Sequence, residues 1–310
     1  MVSPTPRFLL ALLVYCGASA AKAQDSSAAI ERSRLFQIAP NSPVNANGTQ
    51  LADEESAASS DDSFGTQVIL QKREPVPTIA VTADGSAFYT DNAALTPDDK
   101  IDDVLVVANA AITWRPRLNE RLQGQFAAHA SIFRYDTTSS LDFENLGFGA
   151  ALFWSPEHFS NIVFTTRFDF IELLDRHSQE ILRDHEITLG AEKTFPIDKQ
   201  QAFTLGASLM GGIAVPSSAQ RQQVGAFAAY RWQVTRAFDV DLSYRFSAYF
   251  YDRADRTDCN HVLSANLRLR LASYADLNGF FSFGSNRSDK AEFDYDVVTT
   301  GGGLAVTFRF

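Results

Sequence analysis

Charged side chains recur in this chain at a spacing of two. Arg167 and Asp169, Asp239 and Asp241, and Arg268 and Arg270 are such pairs, and Arg231, Arg245 and Arg309 stand in similar alternating contexts. A spacing of two puts both members on one face of a β-strand. Such a face can close into a ladder of arginine–carboxylate pairs, or leave arginines free to stabilise an anion in a narrow passage. A turn centred near residue 235 sets Arg231 opposite Asp239, and one near 274 sets Arg270 close to Asp276. Arg167 has Asp169 on its own strand, whereas Arg245, Arg268 and Arg309 have no evident acid.

Catalytic and metal chemistry find less support. His129-Ala130-Ser131 supplies a base and a hydroxyl two residues apart, which is the beginning of a hydrolase site. His177 and His185 accompany Asp175 and Asp184 in a charged stretch, which a solvated loop explains equally well. Two cysteines, Cys16 and Cys259, cannot make a disulfide framework or a cysteine-rich zinc site. The acidic stretches 98–103, 252–258 and 289–296 lack the EF-hand spacing, so they read as solvated loops, and neither a metal nor a cofactor is expected. With 37 acids against 27 bases and a net charge of −10, the chain has no electrostatic footprint for nucleic acid.

Strands must position these side chains. In 104–114, Val104, Val106, Ala108, Ala110, Ile112 and Trp114 share one parity, with Asn109 and Thr113 on the other. In 263–271 five apolar residues oppose Ser264, Asn266, Arg268 and Arg270. Twelve segments of this kind are predicted, at 78–90, 104–115, 121–135, 144–154, 160–173, 185–195, 201–214, 222–234, 237–251, 261–272, 276–287 and 296–310. Short connections alternate with longer, more charged ones, which describes an all-β, up-and-down antiparallel barrel with both barrel termini at the short-turn end. Trp114, Trp154 and Trp232 end even-numbered strands at that end, all on the apolar parity, with Phe195, Phe203, Phe238 and Phe308 at the same level. This is an aromatic girdle at a membrane interface, so the apolar parity is expected to face lipid and the charged parity the lumen.

Residues 1–23 read as a secretory signal peptide. Arg7 is the positive start, 8–14 the apolar stretch, and Ala21-Lys22-Ala23 the small-residue cleavage site. Residues 24–77, rich in Ser, Ala, Asp and Asn, read as a largely irregular periplasmic extension. A short helix from Ala28 to Ala39, and a plug or short strand through Val68-Ile69-Leu70, are the more ordered alternatives.

The last eight residues, Gly303-Leu304-Ala305-Val306-Thr307-Phe308-Arg309-Phe310, alternate apolar and polar and end in Phe. They resemble the C-terminal signal of bacterial outer-membrane β-barrel proteins, with Gly303, Phe308 and Phe310 in the matching places. The resemblance covers 78–310 as an architecture and identifies no subfamily. It implies a Gram-negative outer membrane, insertion by the barrel-assembly machinery, and a bilayer with lipopolysaccharide as surroundings. Phe310 reads here as a recognition element rather than a stabilising one. Twelve-stranded acidic-sugar porins resemble the arginine-bearing lumen at the level of architecture. Outer-membrane phospholipases are also twelve-stranded, but their serine and histidine face lipid, whereas His129 and Ser131 lie on the lumenal parity and Phe143 stands where the third residue would be. The expected function is non-enzymatic: a porin-like passive channel for small solutes, anions among them. A structural or adhesive barrel with a closed lumen is the alternative.

Overall fold

The computed structural model describes residues 26, 28–35, 78–159 and 162–310. The signal peptide, Cys16 and Val68–Leu70 lie outside the described residues. Twelve strands form one closed antiparallel barrel in which each pairs with its sequence neighbours and the last closes on the first. They are β1 (Ile79–Thr90), β2 (Asp103–Trp114), β3 (Leu122–Tyr135), β4 (Phe143–Trp154), β5 (Ile162–Asp175), β6 (Glu180–Pro196), β7 (Gln201–Val215), β8 (Gln222–Gln233), β9 (Phe238–Tyr251), β10 (Arg256–Ala272), β11 (Ala275–Ser288) and β12 (Tyr295–Arg309). Residues 26 and 28–35 are helical and are labelled α1.

The two-residue period produces this fold directly. Along β2, Val104, Val106, Ala108, Ala110, Ile112 and Trp114 are exposed while the residues between them are covered. The same alternation puts Leu242, Leu267, Leu277 and Leu304 outside. An apolar exterior on a closed barrel is stable only in hydrocarbon, where closure satisfies the backbone without water. Trp114, Trp154 and Trp232 all point outward, at 47%, 50% and 40% exposure. Trp114 stacks on Phe126 and Trp154 leans on Phe164, so the girdle is reinforced across strands.

Two strands run longer than the sequence suggests. β6 begins at Glu180 and β10 at Arg256, because their first residues alternate inward and outward as the rest do. The connections at 176–179 and 252–255 are therefore as short as those at 197–200 and 234–237. The loop-length contrast is weaker than expected, and the orientation rests on the tryptophans and on the ends of β1 and β12 lying together. That seam is tight. Thr78 N and Ile79 N both donate to Phe310 O, at 2.9 and 3.1 Å, and Phe310 N donates to Ile79 O at 2.8 Å. Phe310 is thus no frayed terminus. Gly303 packs with no room for a side chain: a Cβ there would sit 2.0 Å from Ser86 Oγ and 2.3 Å from Gly85 O. Glycine at this place lets β12 approach β1, apart from any part it has in a recognition signal.

Candidate functional site

The lumen has two halves of different chemistry. Toward the short turns it is polar. Arg167 Nε donates to Asp169 Oδ1 at 2.8 Å, as the sequence suggests. Arg231 pairs with Asp241 rather than Asp239, Nε to Oδ1 2.6 Å, because the β8–β9 register sets Arg231 opposite Asp241. That leaves Asp239 to Arg268, which is opposite it on β10 and binds it with Nε at 3.1 Å and Nη2 at 2.5 Å. Arg268 is therefore paired, contrary to expectation. Arg270 faces Asp276 in register, as expected.

Arg245 matches its sequence reading. Its cross-strand neighbours are Phe227 and Val262, and its Nε is buried without a hydrogen-bond partner. Arg309 is opposite Ala80 at the short-turn mouth. There its charge repels that of Arg115, whose Nε is held by Gln125 Oε1 at 3.1 Å.

The other half, toward the long loops, is apolar on its inner face. Phe88, Leu105, Val107, Phe133, Phe143, Leu173 and Leu182 point inward and are all but completely buried. They are covered by α1, which lies across the lumen with Ala29 and Ile30 in one cluster with them. Leu35 packs into a second cluster with Leu95, Val262, Tyr295 and Val297, so the connection between β1 and β2 also folds inward. Burying Ile30 alone is worth roughly 1.5–3 kcal/mol. The described part of 24–77 is accordingly a short helix within the barrel, over 28–35 of the alternative helix Ala28–Ala39.

Polar contacts fix the helix in place. Ser26 Oγ donates to Ile181 O at 3.0 Å. Arg34 Nη2 lies 2.7 Å from Glu186 Oε1. Arg221, whose side chain is 1% exposed, reaches Glu186 at 3.3 Å and Glu31 at 3.7 Å, with its guanidinium over the ring of Tyr249. Burial by itself would lower the Arg221 pKa, but Tyr251, Glu186 and Glu31 raise it well above its ordinary value, so the group stays charged. Close by, Arg256 is sandwiched between Tyr251 and Phe293 and bridges to Asp258 at 3.1 Å. A cavity of about 30 Å³, room for about one water, separates Ala28 and Glu31 of α1 from Tyr249, Arg256 and Tyr295.

Sequence reasoning missed this collar. Its signal was present in Val104-Leu105-Val106-Val107, apolar on both parities, and in Phe133, Phe143, Leu173 and Leu182 on the lumenal one. Inward apolar residues in a polar lumen call for a cover.

The hydrolase candidates lie on the lumenal face or are parted by the wall, and Asn145 stands across from Ser131 on β4. His129 and Ser131 face the lumen, and the His129 ring lies over Gly147, its Cε1 2.1 Å from where a Cβ would stand. Asp184 is buried inside, while His185 is outside against Phe170, so these neighbours are on opposite faces of the wall. Among the described residues no group of three or more His, Cys, Asp or Glu is placed to hold a metal ion.

No family model and no curated protein matches the sequence. Among solved structures, an outer membrane channel from Pseudomonas putida F1 is similar at a TM-score of 0.52 and 11% identity, over 78% of this chain and 100% of that one. A bacterial polysaccharide outer membrane secretin scores 0.45 at 11% identity, over 76% and 100%. The KdgM porin in complex with disordered oligogalacturonate scores 0.39 at 7% identity, over 73% and 99%. At such identities the likeness is one of fold. The chain has the closed-barrel fold of bacterial outer-membrane channels, with twelve strands.

Proposed function

We propose that this protein is a passive outer-membrane channel for small solutes whose lumen is closed by its own N-terminal helix. The observation that carries the reading is the division of the lumen. A polar, arginine-bearing half opens at the short-turn mouth and leads to a collar filled by α1 rather than by wall side chains. The helix belongs to a segment outside the barrel strands, so it can leave without breaking any of the strand pairings that close the wall. Arg245, with no carboxylate across from it on β8 or β10, and Arg115 beside Arg309, support a preference for anions once the collar is clear.

A barrel that stays closed and serves a structural or adhesive role is the second reading. It is favoured by the depth at which Glu31, Arg32 and Ser33 are buried and by the inward fold of Leu95. Planar-bilayer recordings separate the two. Full-length protein should show rare openings, and protein lacking residues 24–77 should conduct persistently. Silence from both would establish the closed barrel. Insertion by the barrel-assembly machinery and contact with lipopolysaccharide remain part of the proposal.

A further inference from the structure

We infer that the collar holding α1 is a binding site for small molecules that combine an apolar body with a carboxylate, and that such ligands compete with the helix. This inference deepens the channel reading and rests on it for its role in transport.

Two observations carry it. The first is the shape of the seat. Ile30 occupies an inward ring of aromatic and aliphatic side chains, including Phe88, Phe133, Phe143 and Leu173. A passage for hydrated ions would lose by such a lining, since stripping an ion of water against apolar walls is costly. An apolar body gains by it in proportion to the area it removes from water.

The second is the state of Arg221. This guanidinium is almost fully buried, yet its Nε has no hydrogen-bond partner among the described residues. Glu31, the helix's own carboxylate, stays 3.7 Å away, beyond hydrogen-bonding distance, and its Oε1 is likewise buried without a hydrogen bond. A buried donor left unsatisfied keeps its full desolvation cost. The helix therefore fills the apolar seat but leaves without a partner the Nε of a cation that Glu186 of the wall engages only through Nη2. Ile30 and Glu31 together present an aliphatic body next to an acid, and a mobile ligand with the same two features could bring its carboxylate into bidentate contact with Arg221. Arg256, whose Nε also lacks a hydrogen bond among the described residues, is less open to such a ligand, since the Tyr251 and Phe293 rings lie 3.8 and 3.7 Å from its guanidinium and Asp258 is 3.1 Å away.

Calorimetry on the full-length protein in nonionic detergent tests this, with 4-phenylbutyrate as probe and heats corrected for partition into protein-free micelles. The neutral 4-phenylbutanol and the small anion acetate serve as comparisons. We expect phenylbutyrate to bind at least tenfold more tightly than either. Glu31→Gln, which weakens the hold of the helix on Arg221, should tighten phenylbutyrate binding severalfold. Arg221→Gln should weaken it about tenfold and leave phenylbutanol unchanged. Acetate binding as well as phenylbutyrate, or acid and alcohol binding alike in the full-length protein, would overturn the inference. So would an unchanged affinity in Glu31→Gln, which keeps the test decisive should Arg221→Gln fail to fold. Binding is read without conduction. A protein that binds phenylbutyrate but never conducts refutes the channel alone, and one that conducts without binding it refutes the ligand class alone.

Discussion

Arg34 on the N-terminal helix and Glu186 on β6 meet at 2.7 Å inside the barrel, with both side chains largely covered. Arg221 approaches the same Glu186 oxygen at 3.3 Å from the connection between β7 and β8. One carboxylate thus joins the helix to the wall and to a cation of the wall. Removing Arg34 would leave Glu186 with Arg221, a tolerable state for the wall. Removing Glu186 would take the close carboxylate from two buried guanidiniums at once and leave them Glu31, 3.7 Å from each. The asymmetry matters, because breaking a buried pair from the side that keeps its remaining partner satisfied disturbs the structure least.

Arg34→Ala should therefore loosen the helix without unfolding the barrel. The buried pair is worth up to about 3–5 kcal/mol when broken from one side, and the part of it felt by the helix sets the change in its docking. Open probability in planar bilayers should rise by at least tenfold over the full-length wild type. Glu186→Ala should instead lower folded yield. An unchanged open probability in Arg34→Ala would show that the apolar collar alone holds the helix.

The two faces of β10 give a direct contrast. Leu267 points to lipid, while Asn266 points inward opposite Asp241. Leu267→Arg places a cation in hydrocarbon and should cost roughly 2–4 kcal/mol in reversible bilayer unfolding. Asn266→Arg gains a carboxylate neighbour and should cost much less. Equal losses would refute the assignment of faces.

These faces were legible in the sequence because a strand repeats every two residues and lipid tolerates only one kind of side chain. The partners across the lumen were less legible. Setting Arg231 against Asp239 rather than Asp241 misplaces the β8–β9 register by two residues, which preserves the face and changes the partner. The same shift made Arg268 look unpaired, when Asp239 was the acid left for it. The helix stood among the alternatives, over Ala28–Ala39, but its seat inside the barrel was not legible. Its residues are small and polar enough to pass for a linker, and its stability comes from Phe88, Leu105 and Phe133 on distant strands rather than from its own propensity.

At the seam, backbone and side chain of the last residue can be separated. Deleting Phe310 removes three main-chain hydrogen bonds to Thr78 and Ile79 as well as the ring. Phe310→Ala removes only the ring, which is 71% exposed on the outside. If the ring acts in recognition during assembly, both changes should lower outer-membrane abundance severalfold in cells. The melting temperature of the purified alanine variant should stay near wild type, while that of the deletion should fall. Normal surface levels of Phe310→Ala would remove the ring from the assembly signal.

The charge preference of the open lumen should depend on Arg245 and Arg268 for different reasons. Arg245 has no carboxylate across from it on either neighbouring strand, so its charge is available to a passing anion. Arg245→Gln in protein lacking 24–77 removes that charge and should move the reversal potential in a salt gradient toward cations. Arg268 is neutralised by Asp239, so its own attraction for anions is small. Arg268→Gln nonetheless uncovers Asp239, and an inward carboxylate in a poorly screened passage attracts cations. It should therefore shift the potential in the same direction, and Asp239→Asn added to it should restore the value. Arg245→Gln admits no such rescue by Asp239→Asn. Rescue of both, or of neither, would show that the ladder of Arg231, Asp241, Arg268 and Asp239 does not set the selectivity of the passage.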